Sequence, residues 1–312
     1  MKTITSKEKQ YVSVVLTTWN SQGDISDILQ WIIEWVWSVF EKFEIIIVDN
    51  ASTDGTCDVV EKLVKKHIGI VTMIQLPWKH KKEYALQAGL DVCIWDFVYE
   101  IQQNWNFYKN NIFLELFNEV KKWNDIVAAT PRKVTGFNKI FYSLLNAFTH
   151  LPFKLFTETM VFSSRRALNS ALKYRQRAWV RKVMYKLSWF NVSTIYFLPR
   201  NKYVSQDTLS EKIRLALDLI FSFTHLGFSI PIGFAIIFSW LSLLLWAYSL
   251  YAYFFFSSVV EWWTTQMIFL SIGFSWIFLI LWFISRYLAI VLSEVHHSAN
   301  YTVKKIQVFN NH

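Results

Sequence analysis

The chain has 312 residues, 53% of them hydrophobic and 18% aromatic, and a formal net charge of +9. So apolar a composition excludes an ordinary soluble domain and calls for membrane segments, while the positive balance favours anionic partners such as phosphate esters or an anionic membrane surface. Its two cysteines, Cys57 and Cys93, lack metal-ligand spacing, which excludes a disulfide scaffold and fits reduced thiols in cytosol.

The polar start MKTITSKEKQ has no signal-peptide core, so the first domain is expected to stay where it is made. YVSVVLTTWN (11–20) is a continuous apolar run with a polar end, which predicts a buried parallel strand. SDILQWIIEWVWSVF (26–40) has helical spacing, with Asp24 or Ser26 as its cap. EIIIVDN (44–50) is the second strand, and a helix follows from near Ser52 or Asp54. A third strand (68–76), a helix around KEYALQAGLDVC and a fourth strand (96–103) complete the alternation. Such order predicts an α/β domain with a mostly parallel sheet. Ligands of such sheets bind beyond the carboxyl ends of the strands, where Asn20 and Asp49 fall.

Farther along, 138–156 is aromatic and nearly uncharged, which suits either a core helix or one skimming a membrane. The segment 209–223 places Ile213, Leu217, Ile220 and Phe221 on one face, as an interfacial helix would. From Leu215 to Ser285 there is no Lys or Arg, and 226–256 and 264–292 are each long enough to cross a bilayer. Between them, SSVVEWW carries two interfacial tryptophans. Lys212 and Arg214 precede the pair, and Arg286, Lys304 and Lys305 follow the apolar stretch. The positive-inside rule then puts both termini, and domain 1–208 with the tail 293–312, in the cytoplasm of a multi-pass cell-membrane protein. The basic residues are scattered and no nucleic-acid motif occurs, so nucleic acid is not an expected partner.

VSVVLTTWN followed by EIIIVDNASTDGT resembles the opening of family 2 glycosyltransferases, which have the GT-A fold, a Rossmann-like α/β domain. Thr17-Thr18-Trp19-Asn20 stands for the family's Pro-Thr-Tyr-Asn, and Val48-Asp49-Asn50 with Ser52-Thr53-Asp54-Gly55-Thr56 matches its second motif. The alanine-glycine helix is present as Ala85-Leu86-Gln87-Ala88-Gly89-Leu90. FYSLLNAF, FSSRRAL and the tail ISRYLAIVLSEVHHSANYTV, with Glu294 and Tyr301, resemble the membrane-anchored subgroup that glycosylates polyprenyl phosphates, dolichol-phosphate mannose synthases among them.

The resemblance implies inverting transfer of a sugar from a nucleotide-diphosphate donor to a polyprenyl phosphate at the cytoplasmic membrane face, with membrane lipids as partners and room for a homo-oligomer. It assigns Thr18, Asn20, Asp49, Asn50 and Ser52 to the donor, and Arg132, Arg165 and Arg200, with Arg166 nearby, to the acceptor phosphate. It also implies Mg²⁺ or Mn²⁺ on an Asp-x-Asp motif, yet Gln102-Gln103-Asn104 stands there. Amide oxygens are weak ligands for such ions. Glu100, on the same strand face as Gln102, is the expected stand-in ligand, and Asp96 is expected to be structural. Glu158-Thr159-Met160 replaces the family's Gly-Asp-Phe, with Glu158 expected as an exposed loop carboxylate, and Tyr203-Val204-Ser205 replaces its Gly-x-Ser. Lys79, Lys81 and Lys82 in PWKHKKEY offer another way to neutralise a diphosphate. The eroded motifs leave two alternatives: a catalytically impaired membrane-bound binding or scaffold protein, and transfer to a lipid-linked oligosaccharide.

Overall fold

A computed structural model describes residues 7–65, 69–101, 112–132, 136–149, 153–173, 180–199, 208–223, 226–255, 262–295 and 300–311. The chain forms two compact units, Met1–Asn146 with Pro152–Gln206 and Ala299–His312, and Ala147–Leu151 with Asp207–Ser298.

The first unit is built on eight strands: β1 (Glu8–Thr18), β2 (Phe40–Asp49), β3 (Gly69–Gln75), β4 (Phe97–Ile101), β5 (Ile126–Pro131), β6 (Met160–Ser164), β7 (Val192–Phe197) and β8 (Lys305–Asn311). They lie in the order β7-β5-β6-β4-β1-β2-β3-β8. Six run parallel, and β6 and β8 run against their neighbours. The central strands β2, β4 and β5 are buried over most of their length because helices cover both faces. Val12, Val14, Leu16, Ile45 and Ile47 join one core with α1 (Ile25–Val39), α2 (Thr56–Val64) and α4 (Ile112–Lys121). The alternate residues Val15, Ile46 and Val48 face α3 (Lys82–Val92). Gly89 permits that approach: a Cβ there would lie 2.4 Å from Val15 Cγ1 and 2.9 Å from Val48 Cγ2.

The expected first four strands and three helices are all present, shifted by a few residues at their ends. The expected helix at 138–156 is α5 (Gly136–Thr149), and α6 (Arg165–Lys173) and α7 (Arg181–Leu187) follow. In α5, Asn138 and Leu145 are buried, and the Asn146 side chain exchanges two hydrogen bonds with the Leu155 backbone, at 3.0 and 2.8 Å. The sequence sets 293–312 apart as a tail. It returns as β8, antiparallel to β3 with Gly69 opposite Asn311 and Gln75 opposite Lys305. Asn300 Nδ2 donates to Gln87 Oε1 at 2.9 Å and Tyr301 Oη donates to Asp91 Oδ2 at 2.6 Å, both on α3.

The second unit contains α8 (Leu209–Phe223), α9 (Leu226–Phe255) and α10 (Trp262–Val295). Phe234 packs on Trp276 and Phe238 on Phe269, with ring centroids 4.6 and 5.6 Å apart. As numbers rise along α9 they fall along α10, so the two are antiparallel. Of the expected two spans, both are helices. Among the described residues one, Phe269–Ala289 with mean hydropathy 1.8, is long and apolar enough to cross a membrane, and α9 holds a shorter apolar stretch, Ile232–Leu244.

Candidate donor site

The site is assembled at the carboxyl ends of β1 and β2. Thr18 and Asp49 are register partners there and both are buried. Thr18 Oγ1 and Asp49 Oδ1 each lack a hydrogen-bond partner. Two orphaned polar atoms side by side are costly in a folded core and mark a place where a ligand can supply the missing bonds. Burial, then the neighbouring Asp49 carboxylate, pushes the Cys57 thiol up to about 12, so it is neutral beside that carboxylate.

The loops after β1 and β2 are tied together. Asn20 N donates to Ser52 Oγ at 2.9 Å, and Thr53 N donates to Asn20 Oδ1 at 2.8 Å. Ser52 N donates to Asp49 Oδ2 at 3.1 Å, and Gln22 N to Asp54 Oδ2 at 3.1 Å. Asn20 and Ala51 take left-handed backbone, with φ of 47° and 59°. Asparagine adopts that region readily and alanine does not, so Ala51 holds strain that the surrounding bonds maintain. Burial would raise the Asp54 carboxyl, but hydrogen bonds from the Thr56 hydroxyl and the Gln22 and Thr56 amides outweigh it and hold the group below the usual range. Asp54 and Thr56 therefore brace the loop.

Asn50 was expected on the donor. Its amide is instead bonded both ways to the His80 backbone, Nδ2 to O at 3.0 Å and Oδ1 from N at 2.8 Å. This anchors the 77–81 loop to the end of β2. The same loop carries Lys79, whose Nζ lies 3.2 Å above the Trp19 ring centroid. An exposed cation–π contact of this kind contributes about 0.5–1 kcal/mol.

Glu100 corrects a second expectation. On β4, Tyr99 and Ile101 point into the α1–α4 core, and Glu100 points to the other face, fully buried. Its Oε2 accepts from Arg181 Nη1 at 2.6 Å and its Oε1 accepts from the Tyr185 hydroxyl. Alone, burial would lower the Arg181 guanidinium, but Glu100, Glu83 and Glu158 raise it, so it stays charged. Glu158 is buried, against the expectation of an exposed loop carboxylate. Beside it Lys182 donates to Tyr142 Oη at 2.9 Å and to the Phe156 carbonyl at 3.0 Å. Sequence reasoning missed Arg181, Lys182 and Tyr185. Their signal was an Arg and a Tyr four apart in the short helix RKVMYKL, which puts both on one face.

These residues do not fit a divalent ion. Both Glu100 oxygens are bonded, and no Asp or Glu occurs from Gln102 to Asn111. Among the described residues no three of His, Cys, Asp and Glu converge. Gln102 and Asn104 lie outside the described residues, as does Arg200.

Of the other acceptor candidates, Arg132 follows β5 at the carboxyl edge and is exposed. Arg165 does not join it. Antiparallel pairing sets Ser164 against Phe97, so Arg165 sits at the amino end of β4, where its Nε donates to the Trp95 carbonyl at 2.9 Å and its amide to that of Asp96 at 2.7 Å. Arg166 pairs with Asp125 at 2.6 Å at that same end, beside a cleft of about 310 Å³ lined by Phe97, Phe117 and Trp123. That end is remote from the loops after β1 and β2.

A mostly parallel sheet with its polar site at the strand ends, helices on both faces and an antiparallel β6 inserted beside β4 defines a GT-A-like α/β protein. In fold the chain is similar to glucosyl-3-phosphoglycerate synthase from Mycobacterium tuberculosis, solved with Mn²⁺, UDP and phosphoglyceric acid, and solved also with glucosyl-3-phosphoglycerate, UDP and Mn²⁺. Each matches with a TM-score of 0.50 and 16% identity, over 68% of this chain and 78% of the other. The model of glycosyl transferase family 2 matches residues 13–169, half of the chain. The chain belongs to glycosyl transferase family 2. It is 31% identical over 118 residues to the dolichyl N-acetyl-α-D-glucosaminyl phosphate 3-β-D-2,3-diacetamido-2,3-dideoxy-β-D-glucuronosyltransferase of Methanococcus voltae, a match spanning 36% of this chain and 35% of that relative.

Proposed function

We propose that the protein transfers a sugar, with inversion, from a nucleotide-diphosphate sugar to a polyprenyl phosphate at the cytoplasmic face of a membrane. The observation that carries this is the buried Thr18–Asp49 pair at the ends of β1 and β2, with Thr18 Oγ1 and Asp49 Oδ1 unbonded. A nucleoside offers the donors and acceptors such a pair lacks. An acceptor phosphate oxygen would bond to the anomeric carbon as the bond from that carbon to the diphosphate breaks, the electron pair leaving with the diphosphate. A phosphate nucleophile is already ionised, so no strong general base is needed; placement and charge stabilisation do the work. Arg132, exposed beyond β5, is the acceptor-phosphate candidate best supported by position.

The membrane part of this reading rests on connectivity. The chain leaves the first unit at Gln206 and re-enters it at Ala299, and β8 pairs with β3. On this reading both flanks of the helical unit lie on one side, which calls for an even number of crossings. A single span by Phe269–Ala289 fails this condition, whereas a hairpin in which α9 crosses beside it satisfies it. The exposed Ile236, Trp240 and Leu244 on α9 suit lipid contact.

A second reading is favoured by the relative's name, which describes transfer to a sugar already carried on dolichyl phosphate. The test is product formation by the full chain in detergent. Labelled UDP-, GDP- and dTDP-sugars would be offered with a polyprenyl phosphate or with a polyprenyl-phosphate-linked sugar, each with Mg²⁺, Mn²⁺ or EDTA. Labelled lipid with the bare phosphate supports the first reading, and label only on the glycosylated lipid supports the second. Nucleotide binding without product in any lane would leave a binding protein.

A further inference from the structure

We propose that this chain neutralises the leaving diphosphate with its own lysines, Lys79 foremost, in a donor site that takes no divalent ion; this rests on the nucleotide-sugar reading above. The carboxylate expected to stand in as an ion ligand is committed elsewhere. Glu100 is closed off by Arg181 and Tyr185, and the ten residues that follow Ile101 contain no carboxylate. An ion brought beside Glu100 would meet the charged Arg181 guanidinium and be repelled by it. Hard divalent ions need anionic oxygens, and the amides of Gln102, Gln103 and Asn104 do not offer them.

The replacement charge is held at the other side of the same strand ends. The two-way bond between Asn50 and the His80 backbone fixes the 77–81 loop on β2, so Lys79 is carried by an anchored loop. Its ammonium lies over Trp19, the residue directly after the orphaned Thr18 hydroxyl. The loop then enters α3 at Lys82, and the amino end of that eleven-residue helix adds a positive partial charge at the same end. Lys79, Lys81 and Lys82 are all exposed on this approach. The contact with Trp19 holds the ammonium weakly, and a phosphate oxygen gives it a stronger, charge-assisted partner. A diphosphate bound through the Thr18–Asp49 half would thus draw Lys79 off the indole ring and gain a fixed cation where other sites use an ion.

The test is binding of UDP, GDP, ADP, CDP and dTDP, and of the matching monophosphates, to the full chain in detergent by calorimetry. Each would be run in EDTA and with Mn²⁺ or Mg²⁺. At least one diphosphate should bind in EDTA, about tenfold or more tightly than its monophosphate, as expected for one charge-assisted phosphate bond. Lys79→Gln should remove most of that difference while leaving monophosphate binding unchanged, and Lys79→Arg should restore it. Diphosphate binding that appears only with a metal ion, or that Lys79→Gln leaves intact, overturns the proposal and leaves the nucleotide-sugar reading standing. If no diphosphate binds under any condition, the nucleotide-sugar reading falls as well, and this proposal with it.

Discussion

Glu100 and Arg181, 81 residues apart, form a buried ion pair 2.6 Å across, with side chains 0% and 1% exposed. The pair joins the end of β4 to the start of α7, beside the segment where the family resemblance locates a metal motif. Removing one partner of such a pair leaves an uncompensated buried charge, at a cost of about 3–5 kcal/mol. Arg181→Met should therefore lower stability by that order in denaturant titration. The double variant Glu100→Gln with Arg181→Met should recover part of it. A loss below about 1 kcal/mol, typical of exposed pairs, would mean that the two side chains are not paired in solution.

The Asp54 carboxyl is depressed in the folded chain, so its contribution is present above its unfolded value of about 3.9 and fades as pH falls through the lower folded value. The ties between the 19–22 and 52–56 loops should accordingly hold at neutral pH and fail only in acid, below about pH 4. Asp54→Asn should lower stability at neutral pH and flatten the acid dependence. Near-ultraviolet circular dichroism across an acid titration of both forms would check it.

Gly89 faces Val15 and Val48 with no room for a methyl group. Gly89→Ala must push α3 off β1 and β2, and overpacking of this kind costs about 1–3 kcal/mol. The melting temperature should fall, although alanine is the better helix former. Nucleoside diphosphate affinity should fall with it, because α3 continues the loop that carries Lys79.

The tail covers the edge of β3, and Tyr301 and Asn300 fasten it to α3. Deleting 300–312 should bare that edge and promote aggregation, readable by size-exclusion chromatography. Tyr301→Phe should be milder, by about 1.5–3 kcal/mol, as for one hydrogen bond to a charged group.

An even number of crossings predicts one labelling pattern. In a Cys57→Ser background, a cysteine placed in the 256–261 connection should react with an impermeant maleimide from outside intact cells. A cysteine at Thr302 should react only after the membrane is opened. Both reacting from the same side would remove α9 and α10 from the bilayer.

Much of this protein was legible in its sequence because the signals are local. Apolar runs ending in Asn20 and Asp49, helical spacing between them and the long uncharged stretches of 226–256 and 264–292 follow from backbone periodicity and burial. They predicted the first four strands, α8, α9 and α10 with small errors at the ends. The loops after β1 and β2 were readable for the same reason, since a polar turn after a buried strand is a feature of neighbouring residues. What tertiary structure decided was pairing across distance. Asn50 is bonded to His80, Glu100 to Arg181 and Tyr185, and Arg165 to the Trp95 carbonyl at the amino end of β4. The return of β8 to β3 lies more than 200 residues along the chain from its partner. Local periodicity says which face a side chain takes and cannot say what meets it there. That depends on strand order and strand direction, which only the folded sheet sets.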